Sequence, residues 1–147
     1  FELTLACDMV LAAADTVFGL PEPMLGIVAG AGGAVRLGAH LPPVIANEIL
    51  LTGQVFSAEK AVHWGLINQA VPFDELDKTA LKIAQTIARN APLSIATTMQ
   101  LAALRGRADT AMWGANDAAL QAISETQDAH EGIAAFLEKR SPKWSGT

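Results

Sequence analysis

Two glutamates near the start of the chain are candidates for acid–base chemistry, because of their residue type and their spacing. Glu2 and Glu22 lie twenty residues apart, and the segment between them contains a predicted helix end and two short predicted strands. If those strands fold back, the two carboxyl groups come close together. Two carboxyl groups around one water or one reacting carbon can divide proton removal from proton delivery. Spacing alone leaves this pairing open.

The surroundings of Glu22 strengthen its candidacy. Pro21 and Pro23 flank it, and proline restricts its own φ and disfavours helical geometry in the residue before it, so we expect Glu22 on an extended, stiffened turn and not on a helix. Apolar neighbours would exclude water from the carboxyl group, which suits a group that exchanges protons. The alternative is a solvated turn glutamate. These neighbours are Phe18, Leu20, Met24 and Leu25.

A glycine run follows Glu22. Gly30, Gly32 and Gly33 allow the backbone to approach a ligand closely, and residues 34–37 can begin a helix whose first N–H groups point back at the loop. The run does not match a dinucleotide fingerprint, since Val35 stands at the last glycine position, and it lacks the G-K-[ST] of a P-loop. A tight connection without a ligand remains the other interpretation.

The remaining reactive side chains indicate less. Lys139 and Arg140, at the end of a predicted helix, could bind phosphate, although cations there also favour the helix dipole. The three histidines have no metal-ligand spacing, so we expect no metal site. Cys7 has no nearby histidine or basic residue, which argues against a cysteine nucleophile.

Composition excludes several classes of function. The 147 residues are 51% hydrophobic and 17% charged, and this apolar surplus predicts surface that the rest of a longer chain or other subunits cover. A net charge of −5 argues against nucleic-acid binding. No apolar run reaches the length of about 18 residues that a membrane span needs. With a single cysteine, the default is a reducing compartment, the cytoplasm. The start at Phe1, without Met, leads us to expect a larger protein.

The pattern of elements divides the chain at Pro72. Before it, we predict a helix end, two buried strands, helices and a last strand; after it, we predict helices only. The predicted strands are 9–13, 16–18 and 66–71. The predicted helices are 1–6, 44–51, one opening at Ser57 as N-cap, 74–89, 92–104, 110–126 capped by Asp109, and 129–140 capped by Asp128.

Six motifs follow one another along essentially the whole chain. They are F-E-L-T-L-A-C-D at 1–8, F-G-L-P-E at 18–22, L-G-I-V-A-G-A-G-G at 25–33 with R-L at 36–37, L-T-G at 51–53, S-A-E-K-A-V-H-W-G-L-I-N at 57–68 and E-G-I-A-A-F-L-E-K-R at 131–140. In this order they resemble the enoyl-CoA hydratase/isomerase (crotonase) family. Finer details, at 1–3, 41–48 and 139–144, are most similar to its carnitinyl-CoA dehydratase branch.

The resemblance implies an α/β fold. Residues 1–71 would be the C-terminal part of a ββα spiral, and residues 72–147 a helical region that builds homotrimers, often paired into hexamers. It also implies hydration or dehydration of an enoyl-CoA thioester, with acyl-CoA as substrate and no cofactor. Double-bond isomerisation in the same fold, or a non-catalytic oligomerising module, are the alternatives.

The resemblance also assigns roles to residues. Glu2 and Glu22 would act around one water, the N–H of Gly30 would help to position that water, and Phe136 and Lys139 would join Gly30 in binding substrate. Ala29 departs from the proline usual in relatives. The two N–H groups that hold the thioester oxygen are expected before Phe1. Because losing one such donor costs about 10² to 10³ in rate, we expect the isolated chain to be nearly inactive.

Overall fold

The computed structural model describes residues 1–25, 28–103 and 118–147. The chain divides into two compact units, Phe1–Ala80 and Leu81–Thr147. The predicted domain boundary between residues 71 and 72 stays a prediction.

Short strands and helices alternate along the first unit. The described residues of this unit form 3-10 turns at Thr4–Ala6, Glu22–Leu25 and Phe73–Glu75, strands β1 (Leu11–Ala13), β2 (Val17–Phe18), β3 (Phe56–Ser57) and β4 (Gln69–Val71), and helices α1 (Gly33–His40), α2 (Pro43–Thr52), α3 (Ala58–His63) and the first residues of α4 (Leu76–Ala88).

Strand pairing joins distant parts of the first unit. β1 pairs with β4 in parallel, with Leu11 opposite Gln69, and β2 pairs with β3 antiparallel. At the start of the parallel pair, the N–H of Val10 donates to Oδ1 of Asn68 at 2.7 Å, and the N–H of Asn68 donates to the Val10 carbonyl at 2.8 Å. The asparagine side chain thus extends the ladder by one step and fixes its register.

The core of the first unit takes residues from every element between the first turn and α3 except the 3-10 turn Glu22–Leu25, which has no buried residue. Leu37 of α1 is fully buried, and it belongs to one cluster with Ile49 of α2 and Phe56 of β3. Burying such side chains supplies about 1.5 to 3 kcal/mol each relative to exposure, before the cost of ordering the chain. The cluster also includes Leu5 and Leu20, which lie close in sequence to Glu2 and Glu22.

The second unit contains described helices, and a non-helical segment, residues 139–147, follows the last of them. It contains α5 (Pro92–Ala102), the helical residues 118–124 (α6) and α7 (Gln127–Glu138). Asp109, the predicted cap, and Trp113 lie outside the described residues. Among the described residues, no helix combines the length and hydropathy needed to cross a bilayer.

Two boundary predictions for the first unit are wrong. Of the helix predicted over residues 1–6, only a 3-10 turn at Thr4–Ala6 forms. The strand predicted over 66–71 begins at Gln69, because the N–H of Leu66 donates back to the Ala61 carbonyl at 2.9 Å and closes the end of α3 instead. Strand β3 was not predicted, because two residues are too few to show the alternation of apolar and polar side chains that indicates a strand.

Helix termini show where local sequence suffices. Ser57 caps α3 as predicted, its Oγ accepting from the N–H of Lys60. α2 ends at Gly53, also as predicted, with a φ of 64° that favours glycine. The prediction that Asp128 caps α7 is wrong. Thr126 caps this helix, and Oγ1 of Thr126 accepts from the N–H of Ala129 at 3.1 Å. Asp128 lies inside the helix and is buried.

Candidate active site

Glu2 is bound to the start of helix α1. Its side chain is half-buried, and Oε1 accepts a hydrogen bond of 2.8 Å from the N–H of Gly33. Gly33 is the first residue of α1, so its N–H has no partner within the helix. The positive end of the helix dipole also favours a carboxylate at this place. The glycine run therefore does bring a helix N-terminus to a carboxylate of this chain.

Close packing around Gly33 leaves no room for a side chain at this position. A Cβ built on it would lie 2.9 Å from Oε1 of Glu2 and 2.9 Å from Cβ of Ala29. Real Cβ atoms essentially never approach other atoms so closely. Sequence reasoning assigned the glycine role to Gly30 and did not single out Gly33 for Glu2. The available signal was the glycine immediately before a predicted helix.

An aromatic cluster fixes the backbone next to Glu2. The ring of Phe1 lies 5.4 Å from that of Phe18 and 5.7 Å from that of Phe56. Such centroid distances are those of tilted and edge-on aromatic pairs, which add to the stability that burial provides. Phe18 ends β2, four residues before Glu22, so one cluster holds the chain at both glutamates. Sequence reasoning missed this cluster, because its rings come from three separate segments.

Glu22 does not lie on an extended turn, which corrects the prediction. It opens the 3-10 turn Glu22–Leu25, in which the N–H of Met24 donates to the Pro21 carbonyl at 2.9 Å. Pro23 is compatible with this geometry because a proline in the first turn removes an N–H that has no partner there. The stiffening expected from the two prolines therefore acts through a short helical turn.

The carboxyl group of Glu22 has one oxygen without a partner. Oε2 is buried, and no group of the described residues forms a hydrogen bond with it. Leaving a buried polar atom unpaired costs about 1 to 3 kcal/mol, and more when the group is charged. Such an atom is a candidate for binding a substrate group or a water.

The two glutamates belong to the same unit but are held by different helices. Glu2 is bound to α1, the turn that begins with Glu22 packs against α2, and α1 packs against α2. Within the described residues, no hydrogen bond joins the two carboxyl groups. Gly30 is exposed in the turn before α1, and a Cβ there would meet only the Val28 carbonyl, at 3.7 Å. That both carboxyl groups hold one water stays a prediction.

The other predicted substrate-binding residues, Phe136 and Lys139, belong to the second unit. Phe136 is 82% exposed on α7, and Lys139 caps the C-terminus of this helix with a φ of 56°. Arg140 is engaged elsewhere: its guanidinium binds both carboxylate oxygens of Glu131, at 2.6 and 2.9 Å, and contacts Glu138. Of the two cations considered for phosphate, the structure thus leaves Lys139 as the candidate.

No metal centre is found in the part of the chain that the structure describes. No group of three or more histidine, cysteine, aspartate or glutamate side chains there could hold a metal ion.

Comparisons with known proteins agree on one family. Residues 1–147 match the family described as Enoyl-CoA hydratase/isomerase. Carnitinyl-CoA dehydratase of Proteus mirabilis (strain HI4320) is 38% identical over 153 residues, which cover 99% of this chain and 58% of that protein. The Salmonella typhi protein of the same name is 39% identical over 151 residues, with the same coverage.

Solved structures give the same result for the fold. An enoyl-CoA hydratase from Mycobacterium tuberculosis H37Rv superimposes with a TM-score of 0.92 at 37% identity, covering 99% of this chain and 58% of that one. An enoyl-CoA hydratase from Bacillus anthracis superimposes with a TM-score of 0.94 at 34% identity, covering 99% and 57%. This chain therefore spans a little under three fifths of the length of these relatives.

Proposed function

The chain belongs to the enoyl-CoA hydratase/isomerase family, and from this premise we propose that its full-length protein adds water to, or removes it from, the 2,3 double bond of an enoyl-CoA thioester. The observation that carries the proposal is the buried Oε2 of Glu22, which no described group binds. A second carboxyl group, Glu2, is fixed in the same unit by the amide at the start of α1.

The environments of the two glutamates suggest a division of labour. Glu2 is fixed in position by the hydrogen bond from the N–H of Gly33, so its carboxyl group can be held beside a bound water. Glu22 has a buried oxygen that no described group binds, so this oxygen can contact the substrate. Assigning the base role to Glu2 and the acid role to Glu22 is part of the proposal.

Hydration then requires the following bond changes and proton transfers. The water oxygen bonds to C3 of the enoyl group as the 2,3 π bond breaks, and the displaced water proton passes to Glu2. The electron pair of the π bond, delocalised onto the thioester oxygen, then takes the proton of Glu22 at C2. Charge that develops on the thioester oxygen needs hydrogen-bond donors, usually the largest contribution to such catalysis. Dehydration follows the same steps in reverse, and proton exchange with solvent resets the two carboxyl groups.

Replacing Glu22 tests the proposal in the full-length protein. We expect Glu22→Gln to lower kcat for hydration about 10³-fold, because the amide cannot deliver a proton, while the Kd of the CoA ester stays nearly unchanged. Glu48→Gln, an exposed carboxyl on α2, is the matched control and should keep full activity. A fully active Glu22→Gln protein would reject the role of Glu22.

The competing activity within the family is double-bond isomerisation. One base beside a site that stabilises the thioester oxygen suffices to move a double bond, so isomerisation does not need both glutamates. Hydration is favoured because two carboxyl groups are present and separately held. If Glu2→Gln and Glu22→Gln each abolish hydration, the two-carboxylate reaction is supported; an isomerase would lose activity with only one of them.

The carnitinyl group is the more specific proposal for the substrate, since the relatives named carnitinyl-CoA dehydratase match 99% of the chain. A quaternary ammonium is usually bound by aromatic faces or a carboxylate. Of the tryptophans that are described, Trp64 already packs on Phe56 at 5.1 Å and lies under the Lys60 ammonium at 5.8 Å. A plain short-chain enoyl-CoA is therefore the alternative substrate.

Kinetics with two substrates separates these possibilities. We expect kcat/KM for crotonobetainyl-CoA to exceed that for crotonyl-CoA in the full-length enzyme. A ratio well below one would reject the carnitine assignment and leave the hydratase assignment standing.

A further inference from the structure

The C-terminal residues 140–147, named here the C-terminal strap, run back along α7 after a sharp reversal. Lys139 adopts the left-handed conformation, and the N–H of Arg140 donates to the Ala135 carbonyl at 3.1 Å. This closes the helix and directs the following residues toward its N-terminal end. The strap is then bound at three places in the second unit.

Glu131 is the first of these places. Its Oε1 accepts from Nη1 of Arg140 at 2.6 Å and from the N–H of Lys143 at 2.7 Å, while Oε2 accepts from Nη2 of Arg140 at 2.9 Å. The bonds from Arg140, with that from Lys143, lower the pKa of Glu131 to about 2. A bidentate arginine bond fixes direction as well as distance, so it holds the strap close to α7.

Asp128 is the second place and lies deepest. Only 2% of this residue is exposed, yet its carboxylate accepts from the N–H of Ser145 at 2.6 Å, from the Ser145 hydroxyl at 2.9 Å and from the N–H of Gly146 at 3.0 Å. Its own N–H donates to the Thr147 carbonyl at 3.2 Å. A buried carboxylate is costly unless such donors satisfy it, so Asp128 and the strap end require each other.

Trp144 is the third place and connects the strap to a second helix. Its indole N–H donates to the carbonyl of Arg89, just beyond α4, at 2.6 Å. Its ring lies on α7 at Gly132, where an added Cβ would approach Cη2 to 3.3 Å. The strap consequently fixes α7 both along its length and against the end of α4.

Helix α7 also carries Phe136, and Lys139 follows it at the reversal; both residues are exposed. We propose that the strap sets the orientation of this end of α7, and that Asp128 is a positioning residue through which Phe136 and Lys139 bind the phosphate-bearing part of a CoA thioester. The inference rests on the proposed function in so far as CoA is the ligand. Lys139 would contact phosphate; Asp128 would act only through the strap.

The matched variants are Asp128→Asn and Asp77→Asn in the full-length protein. Both aspartates are the second residue of a helix, so both substitutions lose the same favourable interaction with the helix dipole. Asp77 is exposed, whereas Asp128 is buried under the strap. The difference between the two variants therefore measures the effect of losing the contacts between Asp128 and the strap.

Three measurements are compared for each variant. Hydrogen–deuterium exchange of residues 145–147 shows whether the strap is released, and calorimetry gives the Kd of CoA and of crotonyl pantetheine, which lacks the phosphates near the adenosine. We expect Asp128→Asn to speed the exchange of residues 145–147 and to raise the Kd of CoA about fivefold, the size of an exposed ionic contact. The Kd of crotonyl pantetheine should stay unchanged. Asp77→Asn should change none of these.

Each other result overturns the inference. Strap release with an unchanged Kd for CoA would show that the strap does not position the site, and equal weakening of both ligands would indicate general loss of structure. If Asp128→Asn does not fold, Trp144→Phe, which removes the bond to Arg89 but keeps a ring, should weaken CoA in the same direction. A wild-type protein that binds no CoA would refute the inference, whereas one that binds CoA without hydrating enoyl thioesters would refute only the proposed reaction.

Discussion

The contact between Glu2 and Gly33 concentrates the requirements of the candidate site in two residues. The Glu2 carboxylate lies so close to Gly33 that a Cβ on residue 33 would clash with it, and the N–H of Gly33 donates the hydrogen bond to it. Gly33 therefore provides both the space for the carboxylate and its hydrogen-bond donor. Any side chain at position 33 has to displace the carboxyl group, Ala29 or the start of α1.

Gly33→Ala should separate activity from stability. We expect kcat of the full-length enzyme to fall about 100-fold, because the proposed base is displaced by the new methyl group, with about 1 to 3 kcal/mol lost from the free energy of unfolding. Gly38→Ala in the same helix meets nothing within 4 Å and should stabilise by about 0.5 to 1 kcal/mol with normal activity. Steady-state kinetics and chemical denaturation measure the two effects.

Equal effects of the two alanine variants would contradict this account. A Gly33→Ala protein with normal kcat would show that the position of Glu2 does not depend on the amide at the start of α1. A destabilised Gly38→Ala protein would mean that position 38 is covered by a neighbouring surface.

Helix α7 illustrates at the scale of elements what local sequence does and does not encode. Thr126 and Asp128 are both competent N-caps two residues apart, and the sequence rule cannot choose between them. The choice follows from Ser145 and Gly146, which bind the Asp128 carboxylate from seventeen and eighteen residues away. By contrast, the hydroxyl of Ser57 accepts from the N–H of Lys60, three residues further on, so its capping role is readable from the sequence.

The same limit applies to the candidate site. The two glutamates could be selected from residue type, flanking prolines and family motifs. The bond from Gly33 to Glu2, which spans 31 residues, could not, because it depends on how α1 packs against the first turn. The aromatic rings beside Glu2 are likewise brought together only by the tertiary fold.

The strap makes the second unit sensitive to acid in a defined range. Glu131 has a pKa lowered from 4.5 to about 2, and the pKa of Asp128 is also lowered, chiefly by the N–H of Ser145. In this range the unfolded chain binds more protons than the folded one, so stability falls as the pH falls. The contribution of Glu131 is fully present above about pH 4.5 and is lost toward about pH 2.

Thermal unfolding of wild type and Glu131→Gln across this range tests the sign. We expect the difference in Tm to be largest above pH 4.5 and to shrink as Glu131 becomes protonated in the wild type. Glu125→Gln, at an exposed carboxyl beside the start of α7, is the control for the loss of one negative charge. A constant difference for Glu131→Gln would contradict the pairing with Arg140.

At the scale of the whole molecule, each unit leaves apolar surface uncovered. α4 and α5 contain no fully buried residue, and Leu81 and Met99 are 61% and 42% exposed. In the first unit, Val44 and Leu51 of α2 are 78% and 77% exposed. Large apolar side chains that are exposed in such number are typical of surfaces that another chain covers. We propose that the full-length protein assembles into homotrimers or hexamers.

Sedimentation velocity of the full-length protein checks the assembly. We expect a mass of three or six chains that persists on dilution, because interfaces with this much apolar surface are not in rapid exchange with monomers. A stable, soluble monomer would contradict the proposal. The faces predicted to be covered include Leu76, Ile83, Ile87, Leu101 and Ile123, and also Leu104, which lies outside the described residues.

The parallel pairing of β1 with β4 has a consequence for the order of folding. Val10 meets Asn68 across 58 residues, so β1 cannot be completed until α1, α2 and α3 have been synthesised. At about 5 to 20 residues per second, a ribosome needs roughly 3 to 12 seconds to supply the missing strand. During that interval, the edge of β1 and the ring of Phe18 are exposed in the nascent chain, and we expect chaperones that act during translation to bind this segment.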